Sequence, residues 1–171
     1  LALQIPIYIA AFPIVFVARL IKPFFLIRLG ELPSGRIGHF SMNVELYCCE
    51  KDSGINTPSQ KHIDIFFLQK RVCNKQLEKM WRRKLIILPR WLMSPINKVN
   101  LFLKKLISVK NFPKIGPENS DRDIYNLLEK FNPHISFTNE EEQKAKNILK
   151  DFGIAENSKF VCLLVRDSAY L

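Results

Sequence analysis

The sequence has no Asn-x-Ser/Thr sequon, no Cys-x-x-Cys pair, no internal repeat and no low-complexity tract. Without sequons nothing argues for passage through a glycosylating compartment, and a cytosolic face is the expectation. The four cysteines, Cys48, Cys49, Cys73 and Cys162, lack the paired spacing of a zinc site. Three of them sit within apolar segments, where a thiol behaves as a small hydrophobe, so the cysteines are expected as reduced core residues. Charge is absent from residues 1–18, and residues 69–114 hold a single acid, Glu78, against 13 lysines and arginines.

The uncharged stretch is followed by Arg19, Lys22 and Arg28, the order of an apolar segment with a basic cytoplasmic flank. A cleaved signal peptide carries its basic residues first, so that reading is excluded. Pro6, Pro13 and Pro23 weigh against a clean span, as does a length near the lower limit of the roughly 17–25 residues a crossing helix needs. Residues 1–23 are therefore expected as a membrane-associated apolar segment, peripheral or single-span, at the cytoplasmic face of the plasma membrane. The alternative is a buried or interfacial helix over 5–18.

Net charge is +10 and uneven: residues 1–115 carry 19 basic against 6 acidic side chains, and residues 116–171 carry 7 against 10. The front half is thus suited to an anionic partner such as phospholipid headgroups, a diphosphate or nucleic acid.

Short apolar runs alternate with helical periodicity from Phe24 onward. Strands are expected over 24–29, 63–68 and 85–88. Ile37, Phe40, Val44, Tyr47 and Cys48 recur at helical spacing, with Arg36, Asn43 and Glu50 expected on the wet side. Asn74 caps a helix to about Lys84, with Leu77, Met80 and Trp81 inward and Glu78 paired to Arg82. Further helices are predicted over 97–109, after Asp121-Arg122-Asp123, and from the capping box Thr138-Asn-Glu-Glu141 to Gly153. Phe160–Val165 reads as a buried strand needing neighbours on both sides, so residues 24–171 are expected to form an α/β domain truncated at its carboxyl end. Parallel strands need long crossovers, and the alternation predicts a Rossmann-like parallel sheet with flanking helices.

In such a sheet, ligands sit beyond the carboxyl ends of the strands, and the first strand-to-helix turn favours phosphate-bearing groups. Gly30, Gly35, Gly38 and His39 lie there, with Arg36 adding a full charge. The spacing brushes the P-loop pattern, yet Arg36 replaces its Lys and Ile37 its magnesium-binding hydroxyl, so nucleotide hydrolysis is not the reading. His39 at a helix start can accept a proton from a sugar hydroxyl, or can simply pack under the loop. His62 and His134 are expected to be structural. Arg166 would reach the same edge as the glycine turn, or pair with Asp167. Asp121 and Asp123 are assigned to helix capping, and no metal is assigned.

Gly35-Arg-Ile-Gly-His39, Asn43-Val-Glu45-Leu-Tyr47, Cys49-Glu-Lys51 and, far downstream, Phe160-Val-Cys-Leu-Leu-Val-Arg-Asp-Ser-Ala-Tyr-Leu171 together resemble a family of bacterial glycosyltransferases found in surface-polysaccharide contexts, across most of residues 25–171. The glycine-rich turn with its His also looks like the acceptor-side loop of two-lobed, GT-B-type glycosyltransferases. The resemblance implies an acceptor lobe here and a nucleotide-sugar lobe beyond Leu171. It implies metal-independent transfer from a nucleotide-diphosphate sugar to a lipid-linked or surface-glycan acceptor, without a cofactor. His39 would then be the acceptor base, and Gly35, Arg36, Gly38, Asn43, Arg166 and Asp167 would meet substrate. Leu164 departs from the pattern, since His is expected there in many relatives.

A second class is a non-enzymatic membrane-surface or partner-binding module, built on the basic run 69–114 with Trp81, Trp91 and Phe102 interleaved. Nucleic acid is not expected as a partner, because no stacking motif or groove-reading helix is recognisable.

Overall fold

The computed structural model describes residues 5–55, 57–106, 122–155, 158, 159 and 161. The chain divides into two compact units, Leu1–Ile135 and Ser136–Leu171, each described by itself.

In the first unit, β1 (Leu26–Leu32) and β2 (His62–Leu68) pair in parallel from Leu26↔His62 to Leu32↔Leu68. A short β3 (Ile86–Ile87) continues the sheet beside Ile65 and Phe66, giving the order β1-β2-β3. Parallel neighbours cannot be joined by a tight turn. The first crossover is a π-helical turn (His39–Asn43) running into α2 (Val44–Asp52), and the second is α3 (Lys75–Arg82). Successive strand side chains point to opposite faces. Leu32, Phe66, Leu68 and Ile87 join Phe40, Val44, Tyr47 and Trp81 in one core. Leu29, Ile65 and Phe67 meet Ala11 and Val15 of α1 (Ile5–Leu20) and Met93, Ile96 and Val99 of α4 (Arg90–Leu106) in another. The unit is therefore an α/β sandwich with helices on both faces of a parallel sheet.

The helix predicted near the amino terminus is α1, and it lies against α4. Arg19 Nη2 donates to the Asn100 carbonyl at 2.8 Å, fastening the two together. No described helix is long and apolar enough to cross a membrane. The 16 residues of α1 rise about 24 Å, against a hydrocarbon layer of about 30 Å.

Several boundaries differ from the sequence reading. β1 continues through Gly30, which pairs with Phe66 instead of opening the turn, so the ladder overrides the glycine. α4 starts at Arg90 and not at residue 97, because the Pro89 carbonyl accepts from the Leu92 and Met93 amides at 3.2 and 3.1 Å, and Pro95 is taken up inside the helix. The helix expected after Asp123 shrinks to α5 (Leu127–Lys130), with Asn126 at φ 51° interrupting its start. Asp123 still caps it, accepting from the Leu127 and Leu128 amides at 2.8 Å each. Asn43 and Glu50, expected wet, are buried, while Ile37 is half exposed. The π-turn shifts the helical register before α2, and Leu127 and Phe131 cover the far side of α2 through Leu46 and Cys49. Cys48 and Cys49 are core residues as expected, whereas Cys73 is exposed, in the loop leading to α3.

In the second unit, α6 (Asn139–Asp151) has the predicted capping box. Glu141 donates its amide to the Thr138 hydroxyl at 3.3 Å and accepts from the Thr138 amide at 3.0 Å. Gly153, at φ 78°, closes the helix. Of the strand predicted over Phe160–Val165 only Val161 is described, exposed and in no strand; the rest of that run, Cys162 included, with Arg166 and Asp167 after it, lies outside the described residues, as does Asp121.

Candidate functional site

The exits of β1 and β2 lie at the same edge of the sheet, because the strands are parallel and in register. Residues 33–38 leave β1 there and residues 69–74 leave β2. Ser34 joins the two loops. Its side chain is fully buried, accepting from the Gln69 amide at 3.0 Å and donating to the Arg71 carbonyl at 2.9 Å, while its own carbonyl accepts from the Cys73 amide at 2.9 Å. The Gly35 amide donates to Gln69 Oε1 at 2.9 Å. A Cβ on Gly35 would meet that same oxygen at 2.9 Å, so any side chain there displaces the flexible end of Gln69.

His39 follows on the first residue of the π-turn and is half exposed. Its Nδ1 lies 3.4 Å from Nδ2 of Asn43, one helical turn on. Its neighbour Phe40 is fully buried, and the Phe40 carbonyl accepts from Trp81 Nε1 at 2.9 Å. The imidazole therefore stands on a backbone pinned to α3 from below. π-turns of this kind recur at functional sites, since the extra residue redirects side chains. Arg36 and Gly38 are exposed beside it, and a Cβ at Gly38 would meet nothing within 4 Å, leaving open space above the turn.

The structure thus gathers Gly35, Arg36, Gly38, His39 and Asn43 on one segment. Sequence reasoning missed the second wall, in which Lys70 and Arg71 are exposed on the β2 exit loop. The signal was available: the loop after the second parallel strand must open on the same edge as the first. The edge is therefore cationic on both sides, with Arg36 on one loop and Lys70 and Arg71 on the other. Arg90 closes its base, donating to the Leu68 carbonyl at 2.9 Å and to the Glu31 carboxylate.

Below the edge, on the α2 side of the sheet, Arg28 and Asp64 face each other as a ladder pair and form a two-pronged ion pair, to which Tyr47 adds a hydroxyl donor. Asp64 is desolvated, which alone would raise its pKa, but the hydrogen bonds from Arg28 and Tyr47 and the Arg28 charge overcome this and hold it below the ordinary carboxylate range. Burial, the bond to Asp64 and its charge push the Tyr47 hydroxyl far above its usual value. Arg28 and Asp64 are 2% and 6% exposed, so no ligand reaches them and the network is structural. His62 sits at its margin, 3.9 Å from Asp64 and 3.0 Å from the Gln60 carbonyl.

On the opposite face, Ile14 and Val17 of α1, Ile21 just after it, Leu29 and Ile65 of the sheet and Met93 of α4 line a groove of about 620 Å³ that is almost wholly apolar. The outer stripe of α1, Ile9, Phe12, Phe16 and Leu20, is also exposed. No known protein family, characterised protein or solved structure matches this chain.

Proposed function

We propose that this chain is the acceptor-side part of a glycosyltransferase that moves a sugar from a nucleotide-diphosphate sugar to a lipid-linked or surface-glycan acceptor. The observation that supports it best is the joining of the two strand-exit loops at one edge of the sheet, with the half-exposed His39 imidazole on the first of them. In this reading His39 takes the proton from the acceptor hydroxyl as that oxygen attacks the anomeric carbon, and the sugar–phosphate bond breaks as the nucleoside diphosphate leaves. Arg36, Lys70 and Arg71 attract the phosphate-bearing substrate, while Gly35 and Gly38 keep backbone amides accessible. A second lobe carries the nucleotide-sugar, and Arg166 and Asp167 meet substrate from the last strand, as the resemblance implies. The apolar groove and the outer stripe of α1 suit a protein working at the cytoplasmic face of a membrane on a lipid-borne acceptor.

The test is turnover of nucleotide sugars by the full-length protein and its His39→Ala variant. A general base is worth about 10²–10⁴-fold in rate, so a fall in kcat of that size with an unchanged fold is expected. Unchanged turnover in folded His39→Ala removes the base.

A second reading, a non-enzymatic membrane-surface module, is favoured by the exposed stripe of α1 and the exposed Lys75, Lys79, Arg83 and Lys84 on and beside α3. Salt-sensitive flotation of the full-length protein with anionic vesicles, without any binding of sugar nucleotides, would select it.

A further inference from the structure

Helix α2 carries Glu45, Cys49 and Asp52 at intervals of four and three residues, which puts all three side chains on one helical face. Across from that face stands His134, in the segment after α5. Its backbone amide and its Nδ1 both meet Glu45 Oε1, at 2.9 and 2.7 Å, and its Nε2 meets Asp52 Oδ2 at 3.0 Å. Ligand atoms of Glu45, Cys49 and His134 all lie within 4.8 Å of one another. A cavity of about 270 Å³ between Ser41, Met42, Pro133 and Ile135 opens beside Glu45 and gives a path from outside.

We propose that Glu45, Cys49 and His134 bind a divalent cation of the zinc class, with Asp52 orienting the histidine ring and the ion fastening the segment around Pro133 onto α2. Zinc takes thiolate sulfur, imidazole nitrogen and carboxylate oxygen at about 2.0–2.3 Å, which sets tetrahedral ligand atoms roughly 3.3–3.8 Å apart. The three atoms lie within 4.8 Å of one another, with Nδ1 and Oε1 2.7 Å apart, so that spacing asks the widest pair to close and the Nδ1–Oε1 pair to open by about 1 Å. A metal-binding histidine characteristically donates its other ring nitrogen to a carboxylate, which fixes the tautomer. Asp52 stands in that position already, leaving Nδ1 for the ion. Nδ1 and Glu45 now share a proton along a 2.7 Å line. The cation takes the place of that proton and of the thiol proton of Cys49, so that two protons leave as one ion of charge +2 enters, and water completes the fourth position.

Sequence spacing hid this set. No Cys-x-x-Cys is present, because one ligand comes from position i, one from i+4 and the third from 85 residues beyond Cys49, supplied by folding. The site is distinct from the sheet edge proposed for sugar transfer and does not depend on that assignment.

The experiment uses the full chain, reduced and freed of metal with a chelator, titrated with Zn²⁺ by calorimetry and with Co²⁺ by absorption. Wild type is expected to bind one ion per chain, with a thiolate-to-cobalt charge-transfer band in the near ultraviolet. Cys49→Ala should abolish the band, Glu45→Gln should weaken Zn²⁺ binding at least tenfold, and Asp52→Asn should weaken it by about 10–100-fold. Cys73→Ala removes the exposed thiol on another loop and should change nothing. Circular dichroism checks each variant, and Glu45→Gln decides if Cys49→Ala fails to fold, since Gln keeps an acceptor for the His134 amide. Absence of the band in wild type, its survival in Cys49→Ala, its loss in Cys73→Ala, or undiminished zinc affinity in Glu45→Gln overturns the proposal and leaves His134 as a hydrogen-bonded clamp alone.

Discussion

The Arg28–Asp64 pair offers a sharp test of how the first unit is held together. Both side chains are almost fully buried, and they face each other directly across the β1–β2 ladder. Arg28→Met leaves the Asp64 carboxylate with the Tyr47 hydroxyl and with His62 at 3.9 Å. Removing one partner of a buried ion pair costs about 3–5 kcal/mol, because the other charge stays desolvated. At about 2–4 °C per kcal/mol for a chain of this size, Tm should fall by roughly 6–20 °C. Asp64→Leu should also be damaging, since it takes from the buried guanidinium the carboxylate that faces it. The double variant removes both charges and leaves the Tyr47 hydroxyl without its acceptor, at about 1–3 kcal/mol. Adding Tyr47→Phe should bring the triple variant back close to wild type. Urea unfolding followed by the fluorescence of Trp81, fully buried in the same core, measures each stability. Single losses below about 1 kcal/mol, or a double variant whose loss equals the sum of the singles, would refute the reasoning.

The depressed Asp64 pKa makes a companion prediction about pH. An acid whose folded pKa lies below its unfolded value stabilises the fold above the unfolded pKa, near 3.9, and the contribution disappears as pH falls through the lower folded value. Wild type should therefore lose stability steeply below about pH 4, and a triple variant lacking Asp64 should lose less over that interval in parallel urea titrations. At the sheet edge, Gly35→Ala forces the flexible end of Gln69 away from the Gly35 amide. Water can replace that bond at an exposed site, so the cost should stay near the ~0.5–1.5 kcal/mol net value of one hydrogen bond. Gly38→Ala, with nothing within 4 Å, should be near neutral. A loss above about 3 kcal/mol in Gly35→Ala would mean that the loops are packed far more rigidly than these contacts allow.

The parts of this fold that were legible in the sequence are those set by local chemistry. Asn74 accepts from the Leu77 amide at 2.9 Å as its place before a helix predicts, and Glu78 pairs with Arg82 at 2.9 Å across one turn. The three strands overlap the short apolar runs of the sequence, though β1 runs on through Gly30 and Glu31. Contacts between segments distant in the chain were not legible. Leu127 and Phe131 arrive on the far side of α2 against Leu46 and Cys49, which no period within 37–50 can announce. The start of α4 was hidden because Pro89 reads as a stop, whereas proline just before the first helical turn forfeits little hydrogen bonding. For the candidate site, the glycine turn and His39 were readable from turn chemistry. The tie that Ser34 and Gln69 make between the loops and the Glu45–Cys49–His134 cluster were not, being products of the fold.

Helix α1 has its inward face filled largely by α4, whose Met93 meets Ala11 some eighty residues later. During translation at about 5–20 residues per second, α1 leaves the ribosome several seconds before that partner exists. Over that interval both the inward and outward stripes of the nascent helix are bare, which makes it a client for a holdase or for the bilayer surface before the sheet has formed. Packing of this face of the sheet can therefore close only once α4 has been synthesised.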